Sequence, residues 1–297
     1  MSGTGVGVAV GQADDIGSAV PAQRRIWLCA DDYGISPSVS TAIRDLIAKE
    51  RINATSVMVV APSFHRSEAA ALNALRVHGA RAAIGLHLTL SAPFQPLTGG
   101  FTPLTAKAFP SYGMMLARAL LRQLDRKALE SEIAAQIRMF GHEFGRAPDF
   151  IDGHQHVHIF PQVHDALFAV ARKMAPTAWI RQCGRADTLI KRIGDPKGLV
   201  LDVLSKRFRE RAAALGIKTN PAFAGTYAFN EGVDFAALFP RFLDRLPDGG
   251  LVMCHPGKVD AELRRLDPLT TLREKEYAYF AGEAFPTLLA SQGITLA

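Results

Sequence analysis

The stretch Phe150-Ile151-Asp152-Gly153-His154-Gln155-His156-Val157-His158 sets three histidines at alternate positions directly behind an aspartate and a glycine. Imidazole is the commonest transition-metal ligand, binding through a neutral ring nitrogen. Such rings beside a carboxylate form a candidate metal cluster. Alternate histidines are also what the polar face of a strand would show. The metal reading therefore needs further ligands from elsewhere in the chain.

Several other residues could supply that chemistry. Asp31 and Asp32 follow the apolar run Arg25 to Ala30 and precede Tyr33-Gly34. Adjacent strand residues point to opposite faces, so both carboxylates reach one site only where the strand ends and bends. One of the two could instead cap the following helix or turn. His87 lies among aliphatics near the end of Arg81 to Leu90. One carboxylate and two imidazoles, from Asp32, His87 and His154, would leave metal positions open for water and substrate, as a hydrolytic centre requires. His156 could orient a ligand from behind. His158 has a weaker claim, and His164 reads as structural. His255 sits where Gly250 to Cys254 breaks into Pro256-Gly257, which makes it a candidate general acid. Arg181 ends the short run Thr177 to Arg181. Tyr227, Phe229 and Phe94 could stack on a sugar or belong to the core.

The elements that must position these groups follow from periodicity. Arg25–Ala30, Ala54–Ala61, Arg81–Leu90, Asp149–His156, Thr177–Arg181 and Gly250–Cys254 read as buried parallel strands. Helical spacing runs from Val39 to Lys49 behind Ser36-Pro37, from Phe64 to Val77, and from Tyr112 to Phe144 with a break near Asp125. Further helices are expected from Phe160-Pro161 to Met174, within Gly184–Asn220, over Phe235–Leu246, and over Thr271–Ser291. Ser91–Pro110, rich in proline, reads as a loop or lid, and Asn220–Tyr227 as a loop. Strands alternating with helices indicate an α/β fold with a parallel sheet. Asp31, Asp32, His87, His154, Arg181 and His255 all fall at carboxyl ends of strands. A barrel gathers those ends on one face, whereas an open doubly wound sheet gathers only those near its switch point. A barrel is therefore expected.

Composition sets outer bounds. The chain has 297 residues, of which 48% are hydrophobic, enough for one large α/β barrel. Residues 1–23 read as a disordered tail and 24–297 as a single catalytic domain. The three cysteines, Cys29, Cys183 and Cys254, form no recognisable framework, which fits a reducing compartment. No basic segment precedes an apolar one at the N-terminus, and no apolar run approaches membrane-spanning length. A cytoplasmic protein without stable membrane insertion is expected. The net charge is +6, with a pI near 9.4. No recognised nucleic-acid-binding module accompanies the basic run Lys206 to Arg211, so it reads as a solvated helix face.

Four motifs, in order, resemble the YdjC/ChbG (HpnK-like) family of carbohydrate deacetylases. They are Ala30-Asp31-Asp32-Tyr33-Gly34, Gly85-Leu86-His87-Leu88-Thr89-Leu90, Asp152 to Pro161, and Met253-Cys254-His255-Pro256-Gly257. The family usually carries Phe where this chain has Tyr33. The resemblance extends from about Arg25 to the C-terminus and is loose over 99–143 and 184–220. It implies a distorted (β/α) TIM-like barrel of the NodB-like deacetylase type and one divalent metal ion, Mg2+ or Zn2+. It puts Asp32, His87 and His154 on metal-ligand positions, Asp31 on the general base and His255 on the catalytic acid. Tyr33 would add a hydroxyl near the site, and Arg181 would help stabilise an oxyanion. The implied substrate is an N-acetylated amino sugar or oligosaccharide, with a homodimer left open.

Three rival readings remain. A hopanoid-type, lipid-linked sugar would suit the apolar, proline-rich 92–110 segment and the basic 184–220 region. A barrel phosphoesterase would need several metals and more carboxylates at strand ends than the chain offers. A basic nucleic-acid-binding protein would leave the strand-end histidines unexplained.

Overall fold

The computed structural model describes residues 1, 23–99, 101, 108–185 and 196–297, with the side chains of 196–199 excepted. The expected tail and parts of the 91–110 and 184–220 segments lie outside the described residues. The elements in chain order are β1 (Arg24–Tyr33), α1 (Pro37–Ala48), β2 (Ala54–Val57), α2 (Arg66–Val77), β3 (Ala83–Leu88), α3 (Tyr112–Leu120) and α4 (Arg126–Phe144). Then come β4 (Phe150–Gly153), a 3-10 turn (His154–Ile159), α5 (Val163–Met174), β5 (Trp179–Ile180), α6 (Pro196–Ala214) and β6 (Phe223–Ala224). The chain closes with α7 (Phe235–Leu243), β7 (Leu251–Cys254), α8 (Leu263–Leu266), α9 (Thr271–Ala281), α10 (Ala284–Ser291) and β8 (Ile294–Leu296).

The strands pair in parallel in the order β5-β4-β3-β2-β1-β7-β6, with β8 also on β1. A lone parallel bridge between Arg185 and Phe223 joins the chain after β5 to β6. The sheet thus curls nearly into a ring, the distorted barrel expected. Its central strands are buried on both faces: β2, β4 and β7 are buried at every position. That is why they read as continuous apolar runs rather than as alternating ones.

Local chemistry explains the helix boundaries. The Ser36 side chain accepts from Val39 N with Pro37 in the first turn of α1, and Asp125 caps α4 through Lys127 N and Ala128 N. The expected break in the 112–144 region is this cap.

Three expectations are corrected. The strand expected to run to His156 ends at Gly153, because Gln155 and His156 have φ of 53° and 59°. Such left-handed backbone cannot continue a strand. Asn220–Tyr227 is not all loop: Phe223 and Ala224 pair with Leu251 and Val252. The closing helix is two helices, α9 and α10, separated at Gly282 and Glu283.

The described part of the 91–110 segment is fastened. Ala92 N donates to Pro110 O and Phe109 N to Phe94 O, each at 2.9 Å. The buried Glu132 carboxylate accepts from Leu97 N, Thr98 N and Thr98 Oγ1. The basic run of α6 is partly built into the core: Phe208 is fully buried against His158, His164 and Phe168. Among the described residues no helix is long and apolar enough to cross a membrane.

Candidate metal and catalytic centre

The end of β1 carries both carboxylates. Its pairing with β2 shifts register between Ala30 and Tyr33, Asp32 takes φ 67°, and Gly34 takes φ 95°. This bend lets two adjacent aspartates be buried at 2% and 1% exposure. A buried carboxylate is costly unless paired, and each has its own arginine. Arg181 Nη1 donates to Asp31 Oδ2 at 2.7 Å and Nη2 to Oδ1 at 2.6 Å. Arg273 Nη2 donates to Asp32 Oδ2 at 2.6 Å. Burial pushes both carboxyls up, but Arg181 at Asp31 and Arg273 at Asp32, together with the neighbouring histidines, hold both well below the usual carboxylate range.

With Oδ2 of Asp32 engaged by Arg273, Oδ1 faces the imidazoles. His87 Nε2 stands 3.1 Å and His154 Nδ1 3.0 Å from it. One ligand atom from each of Asp32, His87 and His154 lies within 4.8 Å of the others. On the far side of the His87 ring, Nδ1 donates to Asp152 Oδ1 at 2.7 Å, and Ser56 Oγ lies 2.9 Å from the same nitrogen. A carboxylate behind a ligating histidine fixes its tautomer and leaves the other nitrogen bare for a metal. One oxygen and two nitrogen donors suit a divalent ion with open positions, so the residues present fit the implied metal.

The other expected residues are placed as follows. Arg181, expected to help an oxyanion or to support the site from behind, is fully buried and spans Asp31, Asp152 and Cys29 Sγ. Cys29, Asp31 and Asp152 also have metal-like spacing, but the Arg181 guanidinium fills the space they share. His156 Nδ1 lies 3.6 Å from Cys183 Sγ, and its ring packs edge-on to Phe223, while Asp152 is the group bonded behind His87. Burial and the nearby Arg181 charge push the His156 pKa down to about 3, which keeps its ring neutral. His158 faces the Arg181 carbonyl at 2.9 Å. A Cβ on Gly153 would stand 2.8 Å from His158 Nδ1, so the glycine makes room for that ring. His164 Nδ1 lies 3.2 Å from Ile159 O.

Tyr33 does not bring its hydroxyl to the cluster. It donates to Glu68 O at 2.8 Å and accepts from Arg44 Nη1 at 2.7 Å. Phe94 is buried and meets His154 edge-on with ring centres 5.6 Å apart. Phe229, 43% exposed, meets the His255 ring the same way at 5.6 Å. Tyr227 Oη donates to Glu276 Oε1 at 2.7 Å, and His255 N donates to Glu276 Oε2. His255 Nδ1 has no partner among the described residues. Burial pushes the Glu276 carboxyl up.

The functional neighbours that sequence reasoning missed are Asp152, Ser56, Arg273 and Glu276. Asp152 stood inside a quoted motif. The other three stand in runs with no motif of their own, and only the fold brings them in.

A parallel (β/α) barrel with a buried Asp–His–His group and a second carboxylate at its carboxyl rim defines a candidate metal-site barrel protein. The chain belongs to the YdjC-like protein family, whose model matches residues 25–291. It is 33% identical over 150 residues to a carbohydrate deacetylase of Danio rerio, covering 49% of this chain and 46% of that one. It is 31% identical over 145 residues to a chitooligosaccharide deacetylase of Yersinia pestis, covering 48% and 54% respectively. The match thus spans about half the length of these curated relatives. Among solved structures, a protein provisionally named for cellobiose-phosphate cleavage, from Enterococcus faecalis, superposes with TM-score 0.71 at 22% identity, over 93% of this chain and 97% of the other. A lactam utilization protein of Thermus thermophilus superposes with TM-score 0.52 at 14% identity, over 92% and 98%. Both show the fold.

Proposed function

We propose that this chain, as one catalytic barrel over 24–297, is a metal-dependent N-deacetylase. Its substrate is an N-acetylated amino sugar or oligosaccharide, and its products are acetate and the free amine. The convergence of Asp32, His87 and His154 within 4.8 Å beside the Arg181-held Asp31 carries the reading. The names of the two sequence relatives support the substrate class.

Asp32, His87 and His154 would hold one Mg2+ or Zn2+ ion. When bound, that ion supplies carbonyl polarisation and an acidified water. Asp31 then accepts the proton of the attacking water as the carbon–oxygen bond forms. Both its oxygens are fixed by Arg181, which orients the base and keeps it ionised. His255 gives a proton to the departing nitrogen as the amide carbon–nitrogen bond breaks. The Glu276 carboxylate, bonded to the His255 main-chain nitrogen, holds that residue in place.

The test is acetate release from a panel of N-acetylated sugars and chitooligosaccharides, with and without chelator. Release from at least one substrate, abolished by chelator and restored by a divalent ion, is expected. Release that persists in chelator, or none from any substrate, overturns the proposal.

One observation favours a lipid-linked version of the same substrate. Tyr112, Met114 and Leu120 of α3, with the adjoining Leu121, are exposed, and Tyr112 packs on Phe160 just beyond the histidine-bearing turn. Adding a lipid-linked N-acetyl sugar to the panel distinguishes the two, because it would then outcompete its free counterpart.

A further inference from the structure

A solvent-facing helix seldom buries charge, because a buried charged group must find a partner. Helix α9 buries two. Arg273 is fully buried and Glu276 is 1% exposed, on one face with Leu272 and Phe280. They are three residues apart, so their side chains lie side by side. They serve opposite sides of the site. Arg273 Nη2 reaches Asp32 Oδ2 at 2.6 Å, while Glu276 accepts from His255 N and from Tyr227 Oη.

The helix is fastened where it does this. Arg273 Nη2 also donates to Asp267 Oδ2, and Nε to Leu269 O, each at 2.9 Å. Arg273 O accepts from Gly257 N at 3.0 Å. A Cβ on Gly257 would stand 3.0 Å from Val39 Cγ2 and 3.5 Å from Arg273 Cβ. The bare glycine thus lets the loop after β7 lie close against Val39 of α1 while it bonds α9.

We propose that α9 is the positioning element of the centre, with Arg273 aiming Asp32 at the metal and Glu276 setting His255 for proton transfer. Arg273 occupies the outer oxygen of Asp32 and restricts it to presenting Oδ1. Glu276 fixes the main chain of His255 and leaves its imidazole free. One rigid turn of helix therefore registers the metal ligand against the acid. This assignment rests on the deacetylase reading.

Four variants of the full chain test it, each checked for cooperative thermal unfolding. Metal-stripped protein is titrated with Zn2+ by calorimetry, and acetate release from a chitooligosaccharide gives kcat and KM. Arg273→Met should weaken Zn2+ binding about ten- to hundredfold, the usual cost of losing a partner behind a metal ligand. Arg273→Lys keeps the charge but loses the planar fork, so about a threefold or greater loss is expected. That variant carries the test if the methionine protein does not fold. Glu276→Ala should leave Zn2+ binding unchanged and lower kcat about ten- to hundredfold at constant KM. Glu276→Gln, whose amide oxygen still accepts from His255 N, should restore most of that loss. Wild-type Zn2+ affinity in every Arg273 variant that folds, or loss of Zn2+ binding in Glu276→Ala, overturns the assignment while leaving the deacetylase reading intact. A wild-type protein that neither binds Zn2+ nor releases acetate overturns both.

Discussion

Arg181 grips Asp31 at two points, Nη1 to Oδ2 at 2.7 Å and Nη2 to Oδ1 at 2.6 Å, with the arginine wholly buried. The same guanidinium pairs with Asp152, the carboxylate behind His87. One buried cation therefore ties the proposed base to the support of a proposed metal ligand. Removing one member of such a network strands the others without solvent. Arg181→Met should cost about 3–5 kcal/mol of global stability, measured by urea unfolding. Arg181→Lys should recover much of that stability but not the two-point grip. Turnover of the lysine variant should stay at least about tenfold below wild type. Wild-type turnover in that variant would show that the grip on Asp31 does not matter.

His87 gives the pH dependence. Burial lowers its pKa, but the charge and hydrogen bond of Asp152, joined by Asp32 and Asp31, together outweigh burial and push it up to about 10 in the metal-free protein. The folded value lies above the ordinary one of 6.5. The resulting stability is therefore complete below pH 6.5 and is lost as the pH rises from there through about 10. A metal needs a bare ring nitrogen, so uptake near pH 8 should expel about one proton. Calorimetry in buffers of different ionisation enthalpy reads this directly. Metal uptake with no proton release would show that His87 is not a ligand or is already neutral.

Tyr33 is expected to matter for stability rather than chemistry, because its hydroxyl is committed to Glu68 and Arg44. Tyr33→Phe should lower stability by about 1 kcal/mol and leave kcat/KM within about twofold of wild type. A large fall in kcat/KM with normal stability would place the hydroxyl at the substrate.

Much of this centre was legible in the chain, and the limits have physical causes. Asp31, Asp32, His87, His154 and His255 stand at the ends of apolar runs, and a parallel barrel brings such ends together. The turn after Gly153 was not legible, since neither Gln155 nor His156 announces positive φ as glycine or asparagine would. Arg181 was expected near the reacting atoms because it ends a strand. Its side chain lies beneath Asp31 instead, as the pairing of two buried carboxylates requires. Arg273 and Glu276 lie in the closing helix, in a run with no motif that marks them. Their partners are distant in sequence, 241 residues away for the Arg273–Asp32 bond, and no local pattern encodes such a pairing.

The most direct test of the central claim compares Asp31→Asn with His87→Ala, measuring bound metal and acetate release on the same samples. The account predicts that Asp31→Asn keeps one metal ion per chain and loses about a hundredfold or more in turnover, the usual weight of a general base. His87→Ala should lose the metal itself. Full acetate release by Asp31→Asn, or wild-type metal content in His87→Ala, would contradict the separation of base from ligand on which the account rests.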